Sequence, residues 1–279
     1  MFDFRYHALS LVAVFLALGI GIVLGASLGD TVVSQANKDV SSSLRDDVVK
    51  ARADARTEQQ AVRNRDAFIA ATFDRLAGGR LNRRRVAIVA FGGLPPDIEG
   101  PVRDAVDGAG GSVDSVSKFD SNLDLTTIGE KIGGRFKGLG AAGGPPRGLA
   151  RKLAQQLVRG GPAAGKLKDA LPDSFRGDFR GADAVVYYRA DIASDDRSKR
   201  FESALLEGLR ATRVPVVGVE RSEEDPSQIA SYTGAGLSTV DDVDQPAGRI
   251  AVVLALAGTK GHFGFKSTAD APLPPLRRG

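Results

Sequence analysis

Three aspartates, Asp241, Asp242 and Asp244, crowd the segment STVDDVDQPAGR at 238–249, at the end of a short apolar stretch. Carboxylates at this spacing can do two things. Their hard oxygens suit Ca2+ or Mg2+. They can also cap a helix that starts near Pro246 and pair with Arg249, because a helix start offers unbonded N–H groups and the positive end of the dipole. Capping is the expected role, so Asp242→Asn or Asp244→Asn should each cost about 1 kcal/mol. His262, in GTKGHFGF, is the only histidine besides His7. Asp241, Asp242, Asp244 and His262 are the only candidates the residues offer for a metal. They make a poor copper site, since soft copper sites need Cys or Met and Cu(II) prefers several imidazoles. The chain has no Cys and one Met, at position 1.

Other chemistry finds little support. A Ser-His-Asp device would have to use His262, and no G-x-S-x-G elbow accompanies it. GGPAAGK at 160–166 imitates a phosphate loop, but Leu167 stands where Ser or Thr must hold magnesium. FGGLPPD at 91–97 lacks the G-x-G-x-x-G pattern, and its prolines remove N–H donors a pyrophosphate would need. No catalytic residue and no cofactor is therefore expected, and the protein is expected not to be an enzyme.

The elements that would position these residues alternate. VAIVAF (86–91), SVDSVSKF (112–119), ADAVVYY (182–188), VPVVGV (214–219) and LSTV (237–240) read as strands. Between them lie helical patterns near 97–109, over 124–159 with a Gly/Pro interruption at 138–148, and at 198–213 and 224–231; a last, very apolar helix spans 247–258. Residues 160–181 read as loop. Continuous apolar strands alternating with helices predict a parallel sheet covered on both faces, a doubly wound α/β domain with flavodoxin-like order. The Pro-rich segment 266–279 is expected to be disordered.

Upstream, residues 8–29 are 22 uncharged positions in a row. At about 1.5 Å per residue they cross a bilayer core of about 30 Å. The run exceeds a signal-peptide core, so it is expected to be a retained transmembrane anchor. Arg5 and the free amine precede it and Asp30 follows, which puts the N-terminus in the cytoplasm and the rest outside. Ala13, Ala17, Gly21, Gly25 and Gly29 recur every fourth residue, a face on which two such helices could pack in lipid, and a homo-oligomer is expected.

Residues 30–79 lack Pro, and lack Gly until Gly78, as a helical stalk would. Val48, Ala55, Val62, Ile69 and Leu76 recur every seven residues, whereas the second seam, Leu44, Ala51, Glu58, Arg65 and Thr72, is apolar only at its start. This is half a coiled coil: a weakly dimerising stalk, or a helix packed by one stripe on its own domain. The chain thus divides into an anchor (1–29), a stalk (30–79), an α/β domain (80–265) and a tail (266–279). With 38 basic and 34 acidic residues, the mild excess of +4 does not call for nucleic acid. Arg80, Arg83, Arg84 and Arg85 form a local basic cluster, either a solvated helix end or a contact for anionic headgroups.

Two blocks carry a family resemblance, RYHALSLVAVFLALGIGIVLG at 5–25 and LSTVDDVDQPAGRIAVVLALAGTKGHFG at 237–264. The chain resembles the mycobacterial copper transporter B family, over nearly its whole length. The resemblance implies an envelope protein concerned with copper efflux and tolerance, placement at the outer membrane, and copper as a transported ion. It supplies no copper ligand. On the residues alone, an envelope scaffold or interaction module is the alternative.

Overall fold

Val86, Ile88 and Ala90 alternate with Ala87, Val89 and Phe91, and all six are buried. Successive side chains of a strand point to opposite faces, so the strand needs a hydrophobic layer on each side. The computed structural model shows both layers. It describes residues 4–119, 124–141, 147–190 and 195–275, with side-chain surroundings given for these apart from 4, 5 and 27–42. The chain divides into two units, Met1–Asn64 and Arg65–Gly279.

The described residues of the first unit are all helix. α1 runs Phe4–Ala71 without a break, so the expected anchor and stalk are one element. Within it Tyr6–Ala26 has a mean hydropathy of 2.6 and no buried residue. Ala13, Ala17, Gly21 and Gly25 are exposed, and nothing lies within 4 Å of a methyl built on Gly21 or Gly25. Gly29 lies outside the residues whose surroundings are described.

In the second unit the heptad stripe ends on the domain itself. Ile69, Phe73 and Leu76 pack against the buried core, whereas Val48 and Val62, in the first unit, are exposed. α1 stops at Ala71, α2 (Phe73–Leu76) adds one turn, and Gly79 ends it at φ 71°.

The elements that follow are β1 (Arg85–Phe91), α3 (Pro96–Gly108), β2 (Ser112–Phe119), α4 (Leu125–Ile132), a 3-10 helix (Gly134–Gly140), α5 (Arg147–Arg159), α6 (Pro162–Ala170), β3 (Phe175–Gly177), β4 (Ala184–Arg189), α7 (Asp196–Ala211), β5 (Val216–Val219), α8 (Ile229–Gly234), β6 (Ser238–Val240), α9 (Pro246–Leu256) and β7 (His262–Phe263). The sheet order is β3-β2-β1-β4-β5-β6-β7. All neighbours are parallel except β2 and β3. Taken in chain order, the parallel strands run 2-1-3-4-5-6, the flavodoxin-like winding extended by one strand. α4 to α8 cover one face, and α2, α3 and α9 cover the other.

Two expectations change here. The stretch 160–181 holds α6 and the edge strand β3, and GGPAAGK joins α5 to α6 with no strand before it. The segment expected to be a loose tail is instead tied down as far as Leu273, which packs on the core. Lys266 Nζ reaches Glu220, Asp270 N donates to His262 O, and Ala271 pairs with Phe263. Residues 276–279 of that expected tail lie outside the described residues.

Close packing on the first face depends on Gly208 of α7. A methyl there would lie 2.5 Å from Arg151 O and 2.6 Å from Ala154 Cβ of α5. Gly208→Ala should force the two helices apart at a cost of about 1–3 kcal/mol, lowering the melting temperature by roughly 2–4 °C for each kcal/mol. Thermal unfolding followed by circular dichroism checks this.

Candidate functional site

Ligands of doubly wound sheets bind beyond the carboxyl ends of the strands. In this sheet that edge is built from the segments after β1, β4, β5, β6 and β7, and ionisable side chains fill it. Their bonding falls into three linked groups.

The first surrounds the end of β4. Tyr187 Oη donates to Glu202 Oε1 at 2.6 Å, and Arg189 Nε lies 3.1 Å from the same oxygen. Arg189 also bonds Gln228, while its backbone N donates to Tyr232 Oη at 2.9 Å. Burial, then the neighbouring Glu202 charge, drives the Tyr187 hydroxyl well above its ordinary value, so it stays a donor.

The second group follows β5. Glu220, wholly buried, accepts from Ser227 Oγ at 2.8 Å, Gln228 N at 2.6 Å and Lys266 Nζ at 2.5 Å. Arg221 bridges Glu224 at 2.8 Å and Asp97 at 3.0 Å. Burial, then the Glu224 charge, pushes the Tyr188 hydroxyl up to about 12.

The third group holds the three aspartates, and the fold sends them in three directions. Asp241 accepts from Phe265 N at 2.9 Å and Lys266 N at 3.1 Å, clamping the turn after β7. Gly264, at φ 133°, is needed there, since a methyl would fall 1.8 Å from Asp241 Oδ1. Asp244 accepts from Ser222 N and Ser222 Oγ, each at 2.7 Å, and from Gln245 Nε2 at 2.8 Å. Burial works against its ionisation, but these bonds outweigh burial and hold its carboxyl below the usual range. Asp242 is 1 % exposed, and neither of its carboxylate oxygens has a hydrogen-bond partner. Burial first, then the charges of Asp241 and Asp244, push it up to about 7. Asp241 is also raised, by burial, against the pull of its two backbone donors.

The expected cap is not formed. α9 starts from Gln245 with no side-chain cap bond, Asp242 makes no bond to Arg249, and Arg249 Nε is itself buried without a partner. Pro246 at the first helical position, which lacks an N–H, supplies the start signal instead. His262 sits on edge strand β7 with Nδ1 3.0 Å from Thr239 Oγ1, apart from the bonds of the aspartates. Among the described residues no three His, Cys, Asp or Glu side chains gather as a metal site. What the edge does chemically is fix its own loops: carboxylates hold backbone N–H groups and cations of neighbouring segments. Glu202 was missed in the sequence because it lies on an amphipathic helix among other charged residues, and Glu220 because it closes a strand whose partners lie elsewhere in the chain. The Glu at the end of the apolar run VPVVGVE was the one available signal.

A family model described as "Copper transport outer membrane protein, MctB" matches residues 1–144 and 176–274. Relatives named "Copper transporter MctB" from Mycobacterium bovis and Mycobacterium tuberculosis are each 27% identical over 315 aligned residues, covering 95% of this chain and 96% of theirs. The matched segments take in both the apolar part of α1 and the aspartate-bearing edge. With most of its length matched from the first residue onward, this chain belongs to the MctB family of copper transport outer membrane proteins.

Proposed function

We propose that α1 holds this protein in a cell-envelope membrane, N-terminus cytoplasmic, and that it contributes there to copper efflux and homeostasis with copper as cargo. The observation that carries the anchoring is Tyr6–Ala26, a 21-residue stretch of mean hydropathy 2.6 with none of it buried. Lipid is the medium that satisfies a helix so long, apolar and exposed. The free face of Ala13, Ala17, Gly21 and Gly25 supports self-association through close backbone contact, and Val48 and Val62 would extend it as a partial coiled coil. The α/β domain acts outside the membrane. Its open sheet is covered by helices on both faces, so the sheet presents no face to hydrocarbon as the strands of a membrane-spanning barrel would.

The domain's part is non-catalytic. Asp241, Asp244, Glu202 and Glu220 each bond groups of their own chain, and this engagement favours an interaction role in which the edge holds its loops in place for a partner. Deleting the gene should lower growth in copper. The full chain should restore tolerance, and a chain lacking residues 4–26 should not. Restoration by the shortened chain would sink the anchoring. Unchanged copper tolerance on deletion would sink the copper role and leave the scaffold reading.

A further inference from the structure

The opposite edge of the sheet, where the strands begin, holds a cavity of about 410 Å3 between the end of α7, the starts of β5 and β6, and the segment after α9. Arg210, Arg213 and Lys260 line it, with Ser238, Thr259 and Gly236, and no carboxylate does. None of the three cations has an ion-pair partner among the described residues. Glu207, one turn before Arg210, is engaged with Arg147 and Arg151.

Cations at helix ends often serve only to cap carbonyls. Here other donors have taken those carbonyls. Leu209 O accepts from Thr212 N at 3.0 Å, Arg210 O from Arg213 N at 3.1 Å, and Thr212 O from Arg159 Nη2 at 3.1 Å. Leu256 O accepts from Arg84 Nη1 at 3.3 Å and Leu254 O from Thr259 N at 3.2 Å. The guanidinium of Arg210 lies beside Gly236, 3.0 Å from where a methyl would stand, so a side chain there would displace it. Arg213 is held at φ 65°, a left-handed conformation that disfavours any residue but Gly or Asn, yet an arginine occupies it.

From this geometry we infer that the cavity binds a phosphate group, carried by a phosphomonoester or phosphodiester. Two guanidinium forks match phosphate oxygens in pairs, Lys260 adds a point charge, and the Ser238 and Thr259 hydroxyls complete a polar wall. The volume exceeds that of the anion and falls in the range of small-ligand sites, leaving room for an attached organic group. This site is independent of the copper reading, since none of its residues lies on the carboxyl edge.

The test is thermal unfolding of the full chain in zwitterionic micelles, with inorganic phosphate against chloride at equal ionic strength. A parallel series replaces free phosphate by micelles doped with a phosphatidic acid. Stabilisation of the parent by either, diminished in the variants below, supports the site, free phosphate assigning it to a soluble ester and doped micelles to a headgroup. Arg213→Gly suits the local backbone and should melt no lower than the parent without ligand, yet bind roughly tenfold more weakly or worse. Lys260→Gln, on an exposed loop, should act likewise. No stabilisation in either series, or equal stabilisation of the parent and both variants, overturns the proposal.

Discussion

Lys266→Met should destabilise the second unit by about 3–5 kcal/mol, because it strands the Glu220 carboxylate in the interior without its cation. Glu220 is wholly buried, whereas the Lys266 side chain keeps about a fifth of its surface exposed at 21 %. The two ends of this pair are therefore unequal. Glu220→Gln leaves a lysine that can turn to water, and its amide oxygen can still accept from Ser227 or Gln228, so it should cost clearly less. Combining both changes should recover much of the loss of Lys266→Met. Equilibrium unfolding of the four proteins gives the coupling directly. Equal, additive losses in the two single variants would show that the pair carries no special weight.

Asp242→Asn should stabilise the protein at alkaline pH, against the loss of about 1 kcal/mol that a capping role would bring. Folded, Asp242 titrates near 7, whereas unfolded it titrates near its ordinary value of about 3.9. A carboxyl raised in this way binds its proton more tightly in the fold. Its contribution is complete below about pH 4 and is lost as pH rises through about 7. Three units correspond to at most about 4 kcal/mol. The asparagine variant never acquires the charge, so it should be more stable than the parent above pH 8 by about 2–4 kcal/mol, and level with it or slightly weaker near pH 4. The facing charges, Asp241, Asp244 and Lys266, remain in both proteins, so the difference between the two pH profiles isolates Asp242. A parallel shift of the whole profile would mean that its ionisation does not matter.

The central strands were legible because VAIVAF and ADAVVYY are apolar on both faces, which only a doubly covered sheet demands. β3 was not. It is three residues long, its Arg176 and Gly177 are exposed, and it exists because Ser115–Ser117 of β2 offer it a ladder. α6 was hidden by Gly165 and the glycines before it, although Ala163, Ala164 and Leu167 carry a buried stripe. The aspartate cluster was found as a feature but misread in detail. Spacing along the chain cannot show that Asp241 bonds Phe265 and Lys266, 24 and 25 residues away, while the Asp242 carboxyl finds no hydrogen-bond partner. The prolines near the end suggested slack, and the long-range lysine that ties this segment to the core has no local signature.

That lysine also orders events in time. A chain emerges N-terminus first from a ribosome or an export pore, so Glu220 arrives 46 residues ahead of the amine that neutralises it. β7 and the turn that Asp241 clamps come equally late. Until residue 266 is free, the β5 segment would have to bury a bare carboxylate, and it is cheaper to leave that edge open to water. The β5–β7 edge can therefore complete its bonding only once residue 266 is available. On the placement proposed above, with the domain outside the membrane, an edge that stays open until then suits a chain that is threaded before it folds.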